Sequence, residues 1–356
     1  MTAPGDRRDE RTLGGTREHP LGGTREHPPG GTRGQRPRVC AISIDLDGIA
    51  CYYRIHGLGA SPVELEHVIL ERALPRAAQL FAARGIRVTW FVVGRDADGE
   101  LAAGDRAARQ ANAARLRALG ARGDELGNHS YSHPYELARL TPADVASEID
   151  GCDRVLRAIT GRPPHGFRAP GYDLSPAMLD HLARLGYRYD SSLFPAPGYY
   201  AAKAAVMAVL AARGRPSGAV MTNPRALGAP ADPYRPAMTA PWRRGQAPLV
   251  ELPVAVTPWL RLPAIGTSLI VAPAPIRRRL IRAMAGRRFF NFELHGIDFA
   301  DAEQDGIPGE LVARQPDLRI PIADKLGRIE QLLDQLAGGW KLATLAEVAA
   351  DTQRTE

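Results

Sequence analysis

The sequence predicts an α/β fold in which a parallel sheet, open or closed into a barrel, carries its functional groups at the carboxyl ends of the strands. Three observations lead there. From Pro37 onward short apolar runs alternate with helical patterns; apolar and charged fractions of 44% and 24% are those of a packed chain; and Asp, His and Arg gather where the strand-like runs end. A chain of 356 residues accommodates one such domain of about 200 to 250 residues with appendages.

Residues 1–36 stand apart. An octapeptide beginning at Leu13 recurs at Leu21 and decays after Pro29, with two Gly and one Pro per unit and almost nothing apolar. Such a segment buries too little surface to offset chain entropy, so it reads as a disordered tail whose His19 and His27 are accidents of low complexity.

The body follows over 37–350. Residues 38–45 read as a strand, 63–84 as a helix, 86–93 as a second strand and 106–119 as a second helix. Residues 125–128 form a short strand end, Thr141 caps a helix running to Ile159, and 166–168 form another strand. Strand-like runs return at 187–190, 249–256, 289–294 and 341–345, the last leading into a terminal helix. The stretch 195–248 interrupts this rhythm as an insertion, rich in Pro and Gly and enclosing an Ala-rich helix over 200–213. Long connections of this kind cover a substrate or ornament the barrel. Residues 276–288 form a basic amphipathic helix, suited to an ordinary surface or to anionic lipid.

Charge and cysteine content narrow the function classes. Of the net charge of +7, residues 1–36 hold +2, from seven Arg against five acids, and the remainder +5. No basic stripe is interleaved with aromatics, so nucleic acid is not an expected partner. Cys40, Cys51 and Cys152 form no CxxC pair and are odd in number, a pattern that suits a reducing compartment. The N-terminus lacks the apolar core of a signal peptide, and no apolar run reaches about 18 residues. The expected location is the cytoplasm, with peripheral membrane contact left open.

The chemistry-bearing residues sit at strand ends. Asp45 and Asp47 close the first strand two residues apart, so both carboxylates point to one side, and Gly48 lets the chain turn away. His129 and His133 are four apart, which on a helical turn places both imidazoles on one face, within reach of one metal ion. Two His and one carboxylate leave coordination positions open, as catalytic sites do. Arg168 ends another strand, where a guanidinium forks onto a carboxylate and fixes its direction. Asp190 ends the run at 187–190, as a site residue or a cap. In 289–295, alternation puts Asn291, Glu293 and His295 on one face; a buried sheet rarely tolerates that face unless it lines a site, which makes His295 a candidate acid or base.

These five segments, in this order, resemble the polysaccharide deacetylase family, also called carbohydrate esterase family 4 or the NodB-homology group. The family is similar in carrying an aspartate pair, an H-[ST]-x-x-H motif, an R-x-P segment, an aspartate-containing fourth segment and a late Leu-His. The resemblance implies a distorted (β/α) barrel and a divalent metal, zinc first, with Co2+, Ni2+ or Fe2+ as alternatives. Position by position, it makes Asp47, His129 and His133 the metal ligands and Asp45 the general base. It makes Arg168 the orienter of that base, His295 the general acid partnered by Asp190, and the backbone of Gly171 or Tyr172 the oxyanion contact. One departure is that Leu46 separates the two aspartates, which in the commoner family pattern are adjacent.

The implied activity is removal of an N-acetyl or N-formyl group from an amino sugar, and a cytoplasmic location points to a lipid-linked or other precursor rather than finished wall polymer. Two rivals remain in view, cleavage of a non-sugar cyclic amide and a non-catalytic sugar-binding module. The same trio of ligands also serves iron oxygenases, but those are all-β jelly rolls, which the alternation here opposes.

Overall fold

The computed structural model describes Met1, residues 37–101 and residues 104–355. The repeats, with His19 and His27, lie outside the described residues, as does the reading of 1–36 as a tail. Everything below belongs to the unit Pro37–Glu356.

Ten strands are present among the described residues: β1 Val39–Asp45, β2 Thr89–Val92, β3 Glu125–Asn128, β4 Gly166–Phe167, β5 Tyr189–Asp190, β6 Pro236–Ala237, β7 Ala240–Arg244, β8 Val250–Glu251, β9 Phe289–His295 and β10 Lys341–Ala343. Eight form one parallel sheet, and β6 and β7 form a separate antiparallel pair. Along one edge, β1 pairs with β9 from Val39 opposite Phe289 to Asp45 opposite His295. Its other edge is shared, Val39 to Ala41 facing β10 and Ser43 to Asp45 facing β2, after which the sheet runs through β3, β4 and β5 to β8. The curl nearly closes. Beyond β8, Ala255 N–H donates to Asn291 of β9 at 3.3 Å, and Asn291 Nδ2 donates to the Leu252 carbonyl at 3.1 Å. The alternation of strand and helix predicted the parallel sheet, and its curl is the distorted barrel that the family resemblance implied.

Alternation along the strands sorts residues between two environments. On β1, Cys40, Ile42 and Ile44 pack outward among the helices together with Trp90, Phe290, Phe292 and Leu294. Inward, Ala41, Phe91, Tyr189, Val250 and Phe289 fill the amino-terminal end of the barrel with an apolar plug. Rings fit there because the facing positions lack side chains: a Cβ on Gly127 would lie 2.7 Å from the Phe91 ring, and one on Gly166 would overlap Tyr189. Above the plug the interior turns polar, with Ser43, Arg168, Ser191 and Asn291 hydrogen-bonded to one another.

Local structure departs from expectation in several places. The helix expected over 63–84 is broken into a 3-10 turn Val63–Leu65, a π turn Ile69–Ala73 and an α-helix Leu74–Ala83; Pro75 has no N–H to return to Glu71, and the wide turn accommodates it. A seven-residue helix Ile49–Ile55 escaped notice because Ile, Tyr and Cys read as strand formers; burial of Ile49, Cys51, Tyr52 and Tyr53 holds it. Helices Gly266–Val271 and Ile322–Ala337 and the β6–β7 pair were likewise not expected. The runs at 187–190 and 249–256 keep only two paired residues each.

Candidate active site

The site lies at the carboxyl ends of β1, β3, β4 and β9. Strand β1 delivers Asp45, and Leu46 N–H continues the pairing by donating to Phe91 at 3.0 Å, which carries Asp47 just past the sheet before Gly48 opens the helix Ile49–Ile55. Both carboxylates are buried and converge as their spacing indicates. Asp47 Oδ1 stands 3.1 Å from His129 Nε2 and 3.2 Å from His133 Nε2, whereas Asp45 Oδ2 is 3.8 Å from His129 Nε2.

His129 and His133 converge, but not on a helical turn as their spacing suggested. The segment after β3 is a bent loop in which Ser130 and His133 take φ of 66° and 60°. Left-handed backbone at non-glycine residues costs about 1 kcal/mol each, and surrounding bonds fix it. Asn128 Oδ1 accepts from Ser130 N–H at 2.8 Å, and Ser130 Oγ accepts from His133 N–H at 3.1 Å. Glu148, on the helix Pro142–Thr160, accepts from the N–H groups of Tyr131 and Ser132.

The donor set fits a divalent metal. His129 Nδ1–H donates to the Arg168 carbonyl at 2.7 Å, which leaves the Nε2 lone pair facing Asp47, and His133 Nδ1 faces Cys51 Sγ at 3.3 Å. One ligand atom from each of Asp47, His129 and His133 lies within 4.8 Å of the others. Burial acts to raise the Asp47 carboxyl, but the two imidazoles outweigh it and hold the group well below the usual carboxylate range. A permanently ionised carboxylate beside two imidazoles is the hard and borderline ligand mixture that zinc and its neighbours take.

Arg168 is wholly buried and fully bonded. Its Nη1 donates to Asp45 Oδ1 at 2.6 Å, Nε to the Ser191 carbonyl, and Nη2 to the hydroxyls of Ser43 and Ser191, while its guanidinium stacks 4.2 Å from the Phe91 ring centroid. Asp45 is thereby fixed in direction.

His295 stands opposite, in register with Asp45. Asp298 Oδ2 accepts from His295 N–H at 2.9 Å, which fixes the backbone that carries the ring. The expected pairing of His295 with Asp190 is not formed, and we correct it. Asp190 is buried on β5, accepts from the Ser192 hydroxyl and N–H at 2.8 and 3.0 Å, and shares a proton with Glu251, whose carboxyl burial and the neighbouring Asp190 push well up. The side chain beside His295 is Glu293, whose Oε1 is 3.9 Å from Nε2. Tyr172 Oη donates to that oxygen at 2.7 Å and lies 3.3 Å from the imidazole. Burial pushes Glu293 up to about 7. Burial acts to lower His295, but Glu293, Asp47 and Asp45 outweigh it and lift the imidazole to about 9.

The cavity above these groups has a volume of about 390 Å3. Gly171 and Tyr172, with φ of 75° and 63°, turn the backbone along its wall. Helix Pro197–Ala212, inside the 195–248 stretch, contributes Tyr199, Ala202, Lys203, Val206 and Met207, and Ile265 and Ile297 face them. Sequence reasoning missed Cys51, the Tyr172 hydroxyl and Glu251; it placed Glu293 on the site face without a role.

The family profile described as polysaccharide deacetylase matches residues 67–189. A peptidoglycan deacetylase of Helicobacter pylori is 24% identical over 155 residues, 43% of this chain and 48% of that protein. A protein of Shewanella sediminis named as a probable 4-deoxy-4-formamido-L-arabinose-phosphoundecaprenol deformylase is 33% identical over 72 residues, 19% of this chain and 24% of its own. The chain thus spans about half the length of the first relative and a quarter of the second. Among solved structures, a Mycobacterium smegmatis protein assigned to the polysaccharide deacetylases superposes over 89% of this chain and 91% of its own, with a TM-score of 0.52 at 16% identity, a likeness of fold.

Proposed function

We propose, from the match of residues 67–189 to the polysaccharide deacetylase family and from the geometry of the site, that the chain is a metal-dependent amidase that removes an N-acetyl or N-formyl group from an amino sugar. The observation that carries this reading is the gathering in one cavity of an Arg168-fixed Asp45 and a Glu293-flanked His295, side by side on neighbouring strands, next to the Asp47, His129 and His133 donors.

Asp47, His129 and His133 would hold the ion, which when bound supplies Lewis-acid polarisation and lowers the pKa of water at the site toward about 7. Asp45 takes the proton of the attacking water, aimed by the hydrogen bond from Arg168 Nη1. A backbone N–H of the turn at Gly171 and Tyr172 would donate to the carbonyl oxygen of the acyl group as it takes up negative charge. His295 delivers a proton to the departing amine, without which that poor leaving group would not leave, and Glu293 with Tyr172 holds the imidazole in place for it.

The substrate reading goes one step further. The cavity wall is apolar at Tyr199, Val206, Met207 and Ile265 but carries the cations Lys203 and Arg314, which supports an amphiphilic, lipid-linked amino-sugar precursor. The test is metal analysis of the pure protein, then mass spectrometry on N-acetylated and N-formylated sugars in free, nucleotide-linked and lipid-linked form, with a cyclic amide included. Release of acetate or formate without oxygen is expected. A metal-loaded protein that cut none of the sugars would sink the reading.

A further inference from the structure

Trp259 is 98% exposed and Leu260 75%. They occupy a tight turn closed by the bridge between Val256 and Pro263. Thr257 N–H donates to the Leu262 carbonyl at 2.9 Å, Leu262 N–H to Thr257 Oγ1 at 3.0 Å, and Leu260 N–H to the Pro258 carbonyl at 2.7 Å. Trp259 and Arg261 take φ of 62° and 48°, backbone that favours glycine. The turn is braced from both sides: Arg261 Nη1 donates to the carbonyls of Leu227 and Ala229, and Arg287 Nη2 to that of Thr257. A strained and anchored backbone therefore presents an indole and an isobutyl group to solvent.

A basic helix ends against this turn. Gly286, just past the helix Ala274–Met284, packs close enough that a Cβ there would lie 3.8 Å from Pro258 Cγ. The helix buries Ile281 and Met284 in the core and exposes Arg278, Arg279 and Arg282, with Arg288 exposed beyond its end. None of these four guanidiniums has an ion-pair partner among the described residues. Ile276 and Leu262 add exposed apolar surface.

We propose that the Trp259–Leu260 turn and the helix Ala274–Met284 together form a docking surface for an anionic lipid bilayer. An apolar tip flanked by uncompensated arginines matches the layering of such a surface, where indole settles at the headgroup level and guanidinium meets phosphate. No helix among the described residues is long and apolar enough to cross a membrane, so this contact is peripheral. The same stretch of chain continues into Ile265, Thr267 and Ser268, which line the cavity, so docking brings the cavity wall toward the membrane. The surface stands whether or not the hydrolase reading does.

Co-sedimentation of the full chain with vesicles of equal phosphatidylglycerol and phosphatidylcholine, against phosphatidylcholine alone, tests it. Binding to the anionic vesicles is expected, with a blue shift of tryptophan emission that disappears in Trp259→Phe. A Trp259→Ser, Leu260→Ser variant should lose roughly ten-fold in partitioning, and Arg278→Gln, Arg279→Gln, Arg282→Gln roughly a hundred-fold. Both sets of positions are exposed, so unchanged melting temperatures accompany those losses. Equal binding to both kinds of vesicle, no binding to either, or full binding by the variants would overturn the proposal. Concentration-dependent self-association abolished by the serine variant, without vesicle binding, would assign the surface to a second copy of the chain instead.

Discussion

Glu293 Oε1 stands 3.9 Å from His295 Nε2, and the Tyr172 hydroxyl joins the two. The pair sets the pH range over which an imidazolium is available. Burial disfavours the charged ring, yet Glu293, then Asp47 and Asp45, lift it to about 9, above the ordinary value of about 6.5. A raised pKa means that the protonated acid is present at low pH and lost as pH rises through the folded value, so kcat should fall on the alkaline side near pH 9. Glu293→Gln removes the largest of the lifting charges, and its alkaline limb should move to lower pH. Asp190→Asn should leave the limb where it is, because Asp190 is bonded to Ser192 and Glu251. A kcat profile for both variants checks this; an unmoved limb in Glu293→Gln would refute the assignment.

Asp45 and Asp47 are two residues apart but have different partners, and substitution should separate their roles. Asp45→Asn loses the carboxylate that Arg168 aims and keeps all three ligand atoms of the Asp47 group, so turnover should fall by about 10^2 to 10^4 with metal content unchanged. Asp47→Asn should lose metal affinity first. Metal stoichiometry and kcat measured on the same preparations decide it. Wild-type turnover by Asp45→Asn would remove Asp45 as the base.

Much of this site is legible along single strands. Period-two alternation was enough to send Ser43 and Asp45 inward beside Asn291, Glu293 and His295, and the observed register puts Asp45 opposite His295. What alternation does not reveal is pairing across the chain. Asp190 meets Glu251 because β5 and β8 are neighbours, a relation set by topology and not by either local sequence. Glu293 gained a role only from Tyr172, 121 positions away. The four-residue spacing of His129 and His133 indicated convergence correctly and its cause wrongly, since bonds from Asn128, Ser130 and Glu148 support a loop where propensity offers a helix. Helix Ile49–Ile55, with Cys51, rests on tertiary burial overriding strand-like composition.

Chelation should abolish turnover without unfolding the protein. The ligand groups already hold one another, Asp47 facing both imidazoles at 3.1 and 3.2 Å, and the barrel beneath is packed without them. Far-ultraviolet circular dichroism should therefore be unchanged on metal removal. Added Zn2+ should restore activity and raise the melting temperature in proportion to the logarithm of its free concentration. Loss of secondary structure on chelation would show that the metal builds the site rather than entering it.

Arg168 is where stability and activity meet. Its guanidinium is wholly buried and donates to Asp45, Ser43 and two atoms of Ser191 while covering the Phe91 ring. An ammonium at the same depth is one point charge and does not reproduce that planar fork. Arg168→Lys should leave hydroxyl and carbonyl acceptors unmet and Asp45 poorly aimed, lowering kcat along with stability. Arg168→Met removes the charge entirely and strands Asp45 in a buried position, which should cost about 3 to 5 kcal/mol. Denaturant unfolding of both variants gives the comparison, with Met expected to be worse than Lys. If Arg168→Met were as stable as the wild type, the Arg168–Asp45 contact would contribute nothing to the fold, and the argument that Arg168 positions Asp45 would fall with it.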